Sequence, residues 1–219
     1  MNQILYKCTF DFSNPSKKQK NKYIIIFVIA IILIIVATFF YFFSKYIKFQ
    51  NEKLSKNLMS IYNIKTLYSN SPNEYSTKKV IAEAPSKTTD PFVIGLIQIE
   101  KIKLIYPILS TTTPELLKIS PCRFAGPMPN EIGNLCIAGH NYVDNKLFSK
   151  IHLLEKDDLI RIYDINGNDI DYIVYSKEEI NSSDLSCIDQ DTNGKRQITL
   201  ITCNNVTGNR ICIKALENK

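Results

Sequence analysis

Three residues of this chain carry side chains whose combination can transfer an acyl group. His140 lies in the segment CIAGHN, Cys203 ends the segment TLITC, and Arg210 follows seven residues later. A thiol can attack a carbonyl carbon, an imidazole can carry the proton, and a guanidinium can stabilise the negative charge that develops on the carbonyl oxygen. The sequence therefore predicts acyl transfer through a thioester, with Cys203 as the nucleophile.

Predicted strands bring these three residues to one end of a sheet. Cys203 ends one β-branched run and Arg210 opens the next, with residues 204–209 as the turn between them. Neighbouring antiparallel strands with a short connection place both side chains at the same end. Because His140 also follows a predicted strand, we expect one rim of the sheet to present all three groups.

Short apolar runs separated by turn signals predict a mainly β fold. The DINGN segment at 164–168 is typical of a hairpin turn. Seven or eight short strands at this spacing indicate a mainly antiparallel barrel or sandwich. Helical spacing predicts two short helices, at 113–119 and 147–154. The predicted strands are residues 92–99, 102–108, 135–138, 159–163, 170–175, 197–202 and 211–216.

An uncharged apolar segment precedes the β-rich region and predicts a membrane anchor. Residues 23–43 are long enough to span a bilayer as a helix, and no small-residue cleavage site of a signal peptide follows them. Lysines flank both ends, so charge biases the orientation only mildly. Because a large domain follows a short tail, we expect a single-pass protein of the cell membrane with the catalytic domain outside. The expected parts are a cytoplasmic tail at 1–22, a transmembrane helix at 23–43, a stem helix and linker at 44–90, and a catalytic domain at 91–219.

The positive charge of the chain is concentrated beside the apolar segment. Residues 1–22 and 44–56 hold nine lysines and two carboxylates, out of 27 basic and 21 acidic residues in total, which leaves 18 and 19 for residues 57–219. Basic residues at a membrane surface suit anionic lipid headgroups. The nearly neutral remainder lacks the basic surface of a nucleic-acid-binding protein, so we expect no nucleic-acid partner.

The cysteine spacing predicts neither a metal site nor a cofactor. No CxxC pair or His/Cys cluster occurs, although the chain has six cysteines. Besides Cys8 in the predicted tail and Cys203, four cysteines are predicted to be small buried apolar side chains, and a bridge between Cys136 and Cys212 stays open. These four are Cys122, Cys136, Cys187 and Cys212.

The segments that carry these residues resemble those of sortases, the membrane-anchored cysteine transpeptidases of Gram-positive bacteria. The segment at 94–102, IGLIQIEKI, resembles the family's first strand, and IGNLCIAGH at 132–140 resembles its histidine segment. TLITC at 199–203 matches the TLxTC signature, and Arg210 has the position of the family's essential arginine. SDLSCID at 183–189 resembles the segment before the catalytic strand in class A enzymes. The resemblance covers most of residues 92–216.

The resemblance implies an eight-stranded β-barrel and a two-step reaction. Cys203 would attack the Thr-Gly carbonyl of an LPXTG-like C-terminal sorting signal on an exported protein, giving a thioacyl enzyme. His140 would protonate the leaving amine and then deprotonate an acceptor amine on a peptidoglycan precursor, and Arg210 would bind the oxyanion or the signal. Ala138 and Thr202 resemble positions that line the signal groove. A further apolar pocket would be formed by Leu185, Cys187 and Ile188, for which an ordinary core role is an equal alternative.

Two further features predict the turnover and the subclass of the enzyme. No carboxylate in the motifs is placed to orient His140, and a free thiol is mostly protonated at neutral pH, so we expect slow turnover with a bell-shaped pH profile. The lid-like Asp90-Pro91-Phe92 segment abuts the first strand, which favours an anchoring enzyme of class A or class D type over a sortase that polymerises pilins through a pilin lysine. An L,D-transpeptidase and a non-catalytic surface module remain as weaker alternatives.

Overall fold

The computed structural model describes residues 17–69 and 92–218 of the 219-residue chain. The chain divides into two compact units, Met1–Phe49 and Gln50–Lys219. Most of the predicted cytoplasmic tail, including Cys8, lies outside the described residues, as do the predicted linker and the Asp90-Pro91 pair at 70–91.

A single long helix, α1, runs through Lys17–Ser69. Its residues 23–43 are apolar and exposed, and in the described part of the chain the segment Asn21–Asn63 is the one helix long and apolar enough to cross a membrane. The predicted transmembrane helix and the predicted amphipathic stem helix therefore belong to one continuous helix.

Eight strands form a closed barrel, which confirms the predicted fold class. Around the barrel the strands follow the order β1-β2-β3-β4-β7-β8-β6-β5. The pairs β2–β3 and β4–β7 are parallel and the other pairs are antiparallel. The strands are β1 (Val93–Ile99), β2 (Leu104–Leu109), β3 (Cys122–Ala125), β4 (Gly133–Ala138), β5 (Leu159–Asp164), β6 (Asp169–Ile180), β7 (Arg196–Cys203) and β8 (Arg210–Glu217).

The barrel interior is filled mainly by isoleucine, leucine and valine. Alternate residues of a strand point to the same side, so an apolar set from each strand except β3 meets in the centre. Removing the side chain of one such residue typically costs about 2–5 kcal/mol of unfolding free energy because it leaves a cavity. Eight fully buried isoleucines of this core are Ile97, Ile99, Ile108, Ile137, Ile160, Ile162, Ile198 and Ile213.

The observed elements differ from the predicted ones mainly in four places. The short strand β3 was not predicted, and β6 continues to Ile180, five residues beyond its predicted end. The helix predicted at 113–119 is the single turn α2 (Pro114–Leu117). The helix predicted at 147–154 is reduced to the 3₁₀ turn Ile151–Leu153, because Leu147 has a positive φ of 51° that an α-helix does not accommodate.

Within the unit Gln50–Lys219, the last turns of α1 contact the barrel. Tyr62 is 6% exposed, and its hydroxyl donates a hydrogen bond to the carbonyl of Asp164, at the end of β5, over 2.5 Å. Ser55, two turns earlier, is also buried. Burial raises the pKa of Tyr62 to about 12, so its hydroxyl remains a hydrogen-bond donor at physiological pH.

Candidate active site

The pairing of β4 with β7 brings His140 beside Cys203. The two strands are parallel and in register up to the pair Ala138 and Ile201. Beyond that pair, the Gly139 amide donates to the Ile201 carbonyl over 3.0 Å, and the Thr202 hydroxyl donates to the Gly139 carbonyl over 2.7 Å. His140 and Cys203 each follow the last pair by two residues, so the register carries both to the same rim.

The hairpin between β7 and β8 brings Arg210 opposite Cys203. These two residues are the last pair of the antiparallel β7–β8 ladder. Across the turn, the Asn204 amide donates to the Asn209 carbonyl over 2.8 Å, and the Gly208 amide donates to the Asn204 carbonyl over 2.9 Å. Gly208 has a φ of 76°, a left-handed conformation that glycine adopts without strain. The predicted strand ends at 203 and 210 are therefore confirmed.

One cavity of about 170 Å³ is shared by all three candidate catalytic residues. Cys203, His140 and Arg210 all contribute to its lining. The predicted groove residues Ala138 and Thr202 line the same cavity. The full lining is Thr112, Leu117, Phe124, Ala138, Gly139, His140, Ile201, Thr202, Cys203 and Arg210.

Three lining residues come from a segment that the sequence did not assign to the site. Thr112 and Leu117 lie before and within α2, and Phe124 lies on β3. The Thr113 side chain caps α2 by accepting a hydrogen bond from the Leu116 amide over 3.2 Å. The segment TTPELL at 112–117 thus indicated a helical turn. That this turn lines the same cavity as Cys203 follows only from the closed barrel.

The other three predicted substrate residues are not in the lining of this cavity. Leu185 is 53% exposed, whereas Cys187 is buried in a second small cluster with Cys136, Ile201 and Cys212, against which Ile188 packs. The buried Asn134 side chain fixes this segment by donating to the carbonyls of Cys187 and Asp189 over 3.2 and 2.9 Å. In this arrangement Cys187 and Ile188 pack as core residues.

Cys203 differs from the other thiols by its exposure. Of the five cysteines within the described residues, all free thiols, only Cys203 is exposed. Burial raises the pKa of Cys122 and Cys136 to about 12 and also raises that of Cys212, so these thiols stay protonated and inert at physiological pH. An electrophile in the cavity therefore meets one available sulfur.

His140 is held largely in its neutral form. Burial, and to a smaller extent the positive charge of Lys118, lower the pKa of His140 below its ordinary value of 6.5. Its ring lies 5.0 Å from the ring of Tyr142, centroid to centroid. Within residues 17–69 and 92–218, no carboxylate hydrogen-bonds to the imidazole. A neutral imidazole beside a thiol can accept its proton.

The loop after His140 is tied to the strand end that carries Cys203. The Asn141 side chain donates to the Cys203 carbonyl over 2.8 Å, and the Asn205 side chain donates to the Asn141 carbonyl over 2.9 Å. The Phe148 amide donates to the His140 carbonyl over 3.0 Å. These bonds fix the backbone on both sides of the two reactive side chains.

The same loop is contacted by α1 on its outer side. Glu52 accepts from the Lys146 ammonium over 2.5 Å and lies 3.2 Å from the Lys56 ammonium. The hydrogen bond with Lys146 lowers the pKa of Glu52, which stays ionised near neutral pH.

No group of three or more His, Cys, Asp or Glu side chains in the described segments is placed to hold a metal ion.

Comparisons with known proteins agree on one family. A family model of the sortase domain matches residues 97–218. Sortase A of Bacillus anthracis is 35% identical over 118 residues, 53% of this chain and 55% of that protein, so the match spans about half the length of each.

Solved structures agree with this match. A sortase D5 transpeptidase of Clostridium perfringens aligns with a TM-score of 0.59 and 26% identity, over 78% of this chain and 99% of that chain. Sortase A of Listeria monocytogenes aligns with a TM-score of 0.53 and 25% identity, over 58% of this chain and 88% of that chain.

The matched segment 97–218 covers more than half of the chain and contains the whole lining of the cavity. The relatives matched in sequence and in structure are sortases, and the closed barrel is the architecture that the resemblance implied. This chain belongs to the sortase family.

Proposed function

We propose that this protein is a membrane-anchored cysteine transpeptidase that cleaves an LPXTG-like sorting signal and transfers the exported protein to a cell-wall amine. The observation that carries the proposal is the cavity in which the one exposed thiol of the described residues meets an imidazole and a guanidinium. Family membership supports the reaction class, and the residue roles and the substrate are our inference.

In the first step, Cys203 acts as the nucleophile. As its sulfur forms a bond to the carbonyl carbon of the Thr-Gly linkage, the thiol proton passes to His140. The carbonyl oxygen becomes negatively charged, and the Arg210 guanidinium donates hydrogen bonds to it. The carbon–nitrogen bond then breaks, and His140 gives its proton to the departing amine. The product is a thioester between Cys203 and the exported protein.

In the second step, an acceptor amine replaces the sulfur. His140, now neutral again, takes a proton as the amine attacks the thioester carbonyl. The carbon–sulfur bond breaks, and the Cys203 thiolate regains the proton from the imidazolium. The exported protein ends in an amide bond to the acceptor. Water in place of the amine gives simple hydrolysis, so the same site has peptide hydrolase activity.

The cavity walls suggest what the signal contributes to binding. Leu117 and Phe124 offer an apolar wall next to Cys203, and Ala138 leaves room beside it for a substrate backbone. A short extended peptide with an apolar leading residue suits such a groove, which is mostly apolar with a few polar groups. The exposed Leu185 is a candidate for a contact with the signal outside the cavity.

The apolar helix supports a location at the membrane. Residues 23–43 would span the bilayer with the N-terminus in the cytoplasm, and residues 57–219 would lie outside, where exported proteins and peptidoglycan precursors meet. Protease added to intact protoplasts should then digest the outer domain. Protection of that domain under these conditions would rule out this orientation.

The acceptor distinguishes an anchoring enzyme from a pilin polymerase. We favour anchoring to a peptidoglycan precursor amine, because the lid-like Asp90-Pro91-Phe92 segment lies directly before β1 in the sequence and so leaves little slack for a lid. A pilin lysine is the acceptor that the alternative requires. Transfer to a lysine side chain in preference to small cell-wall amines would identify the pilin-polymerising class.

The direct test is acceptor-stimulated turnover of sorting-signal peptides by the full-length protein in detergent. We expect cleavage of at least one LPXTG-like peptide from a fluorogenic panel, faster release when an amine is added, and an amide-linked product. Cys203→Ala serves as the matched control and should be inactive. Cleavage by the Cys203→Ala protein, or no cleavage of any peptide by folded wild type, would refute the proposal.

A further inference from the structure

The turn between Cys203 and Arg210 is held by a carboxylate from a third strand. Glu179, near the end of β6, accepts hydrogen bonds from the side chains of three turn residues. The side-chain NH₂ of Asn204 donates to Oε2 of Glu179 over 3.0 Å. The Thr207 hydroxyl and the side-chain NH₂ of Asn209 donate to Oε1 over 2.6 and 3.0 Å. Both carboxylate oxygens are thus used within one short turn.

The donors are themselves fixed by bonds inside the turn. The Asn204 side-chain oxygen accepts from the Val206 amide over 3.0 Å, so its NH₂ group must point toward Glu179. The Thr207 hydroxyl oxygen accepts from the backbone N–H of Asn209 over 3.2 Å, while the hydroxyl proton is donated to Glu179. Rotating the Asn204 amide or the Thr207 hydroxyl the other way would break two hydrogen bonds in each case. The network is therefore satisfied in a single arrangement.

The register connects this network to the reactive groups. Arg210 pairs with Cys203 on β7 on one side and with Ile180 on β6 on the other. Glu179 is the neighbour of Ile180 and pairs with Ile211. A shift of the turn relative to β6 would therefore move the start of β8, where Arg210 lies, against the end of β7, where Cys203 lies.

We propose that Glu179 is a positioning residue that fixes the Arg210 guanidinium relative to the Cys203 sulfur by clamping the 204–209 turn. The clamp rests on the proposed transpeptidase function, in which Arg210 acts on the oxyanion formed at Cys203. The three bonds also lower the pKa of Glu179, which keeps the carboxylate ionised and able to accept from all three donors near neutral pH.

Neighbouring Glu178 offers a matched control on the same strand. It accepts from the Ser176 hydroxyl and pairs with Lys214, and none of its hydrogen bonds reaches the turn. Glu179→Gln is a graded variant, because its one remaining oxygen can accept from Thr207 and Asn209 while its NH₂ group would face the NH₂ group of Asn204. Glu179→Ala removes all three bonds.

The experiment measures kcat, KM, unfolding temperature and amide hydrogen exchange for the full-length variants. We expect kcat to fall about 10- to 100-fold in Glu179→Ala and less in Glu179→Gln, with KM and unfolding temperature nearly unchanged, because small displacements of catalytic groups are costly. Glu178→Ala should stay within about twofold of wild type. Exchange at Val206, Gly208 and Asn209 should speed up in Glu179→Ala while the β7 and β8 cores stay protected.

A double variant tests whether Glu179 acts through Arg210. In an Arg210→Lys background, Glu179→Ala should cost less than it costs the wild type, because the group being positioned is already impaired. The inference would be overturned by any of three results. The effects of the two substitutions on kcat could be fully additive, kcat could be unchanged in Glu179→Ala, or the loss of kcat could accompany a loss of exchange protection in β7 and β8. Inactivity of the wild type itself on every peptide is a separate result, because it refutes the proposed function and the positioning role with it.

Discussion

At the scale of single residues, the proposed roles of Cys203 and His140 rest on exposure and on local charge. Cys203 is exposed, whereas burial keeps the described Cys122, Cys136 and Cys212 protonated. His140 is mostly neutral at physiological pH because burial and Lys118 disfavour the imidazolium. A neutral imidazole in the same cavity as a thiol suits general-base activation. The sequence predicted Cys203, His140 and Arg210 as the catalytic residues, and the structure places all three in one cavity, but the effect of Lys118 on His140 follows only from the folded chain.

The charge of Lys118 is expected to depress the pKa of His140 measurably. In Lys118→Glu, an anion replaces the cation, so the imidazolium is stabilised and the pKa of His140 rises; Lys118→Gln should give a smaller rise. The acidic limb of the activity profile should move to higher pH in the same order. Titration of the imidazole protons by NMR measures this directly, and His152→Gln assigns the two histidine signals. A pKa that does not move in Lys118→Glu would show that burial alone sets it.

Arg210 is expected to act mainly on the rate of the chemical step. Arg210→Ala removes the donors to the developing oxyanion, and loss of such a donor typically lowers kcat about 100- to 1,000-fold. Arg210→Lys keeps the charge but not the planar pair of donors, so it should recover only part of that loss. Steady-state kinetics on a cleaved peptide separate kcat from KM. A rise in KM alone would instead assign Arg210 to signal binding.

At the scale of elements, the site is a consequence of strand register. The parallel β4–β7 ladder ends two residues before His140 and Cys203, and the antiparallel β7–β8 ladder ends at Cys203 and Arg210, so the three candidate residues meet at one rim. Gly139 allows this meeting, since a Cβ there would lie 2.7 Å from the Phe148 ring, packed below the histidine loop. The position of His140 therefore depends on a small residue next to it as well as on the strand.

Gly139→Ala is expected to displace either Phe148 or the histidine loop. Overpacking of this kind typically costs about 1–3 kcal/mol of unfolding free energy, and activity should fall as well because His140 is the adjacent residue. Denaturant unfolding and peptide turnover measure the two effects. A second change, Phe148→Leu, makes room for the added methyl group and should restore part of both. If Gly139→Ala matches the wild type in both assays, the close packing does not position His140.

An element could be predicted from the sequence where its pattern of apolar and polar residues matched its burial in the folded barrel. Strands β7 and β8 were predicted within one residue, because their β-branched runs are buried in the core. The short β3 was missed, since CRFA has no alternation and contacts β2 at one pair only. The end of β6 was missed because residues 176–179, with the sequence SKEE, are polar, although β8 pairs with them. Glu179 could not be recognised as a clamp, because its three partners lie about 25 to 30 residues away in sequence.

At the scale of the whole molecule, the chain combines an apolar helix, the proposed anchor, with a nearly neutral barrel that holds the candidate active site. Exposed apolar side chains along residues 23–43 are unfavourable in water and suit a bilayer, which supports the proposed anchor. Residues after 49 belong to the same compact unit as the barrel, and there Glu52 contacts Lys146 in the loop that follows His140. The segment beside the proposed anchor is thus also a support for the histidine loop.

The Glu52–Lys146 pair is expected to have a small effect on activity. Both side chains are partly exposed, so the pair contributes no more than about 1 kcal/mol. Glu52→Lys should lower kcat/KM by a few-fold at low ionic strength, and the charge-swapped double variant Glu52→Lys with Lys146→Glu should restore it. Turnover at low and high salt measures this, because screening weakens the pair. No recovery in the double variant would mean that the contact does not support the loop.

Formation of a thioester between Cys203 and the exported substrate can be measured as a change in intact protein mass. Full-length protein is mixed with a sorting-signal peptide without an acceptor amine, quenched in acid and weighed. We predict an added mass equal to the acyl part of the peptide, located on Cys203, lost on addition of an amine and missing from Cys203→Ala. Peptide cleavage without any adduct on Cys203, or the same adduct in Cys203→Ala, would contradict the account.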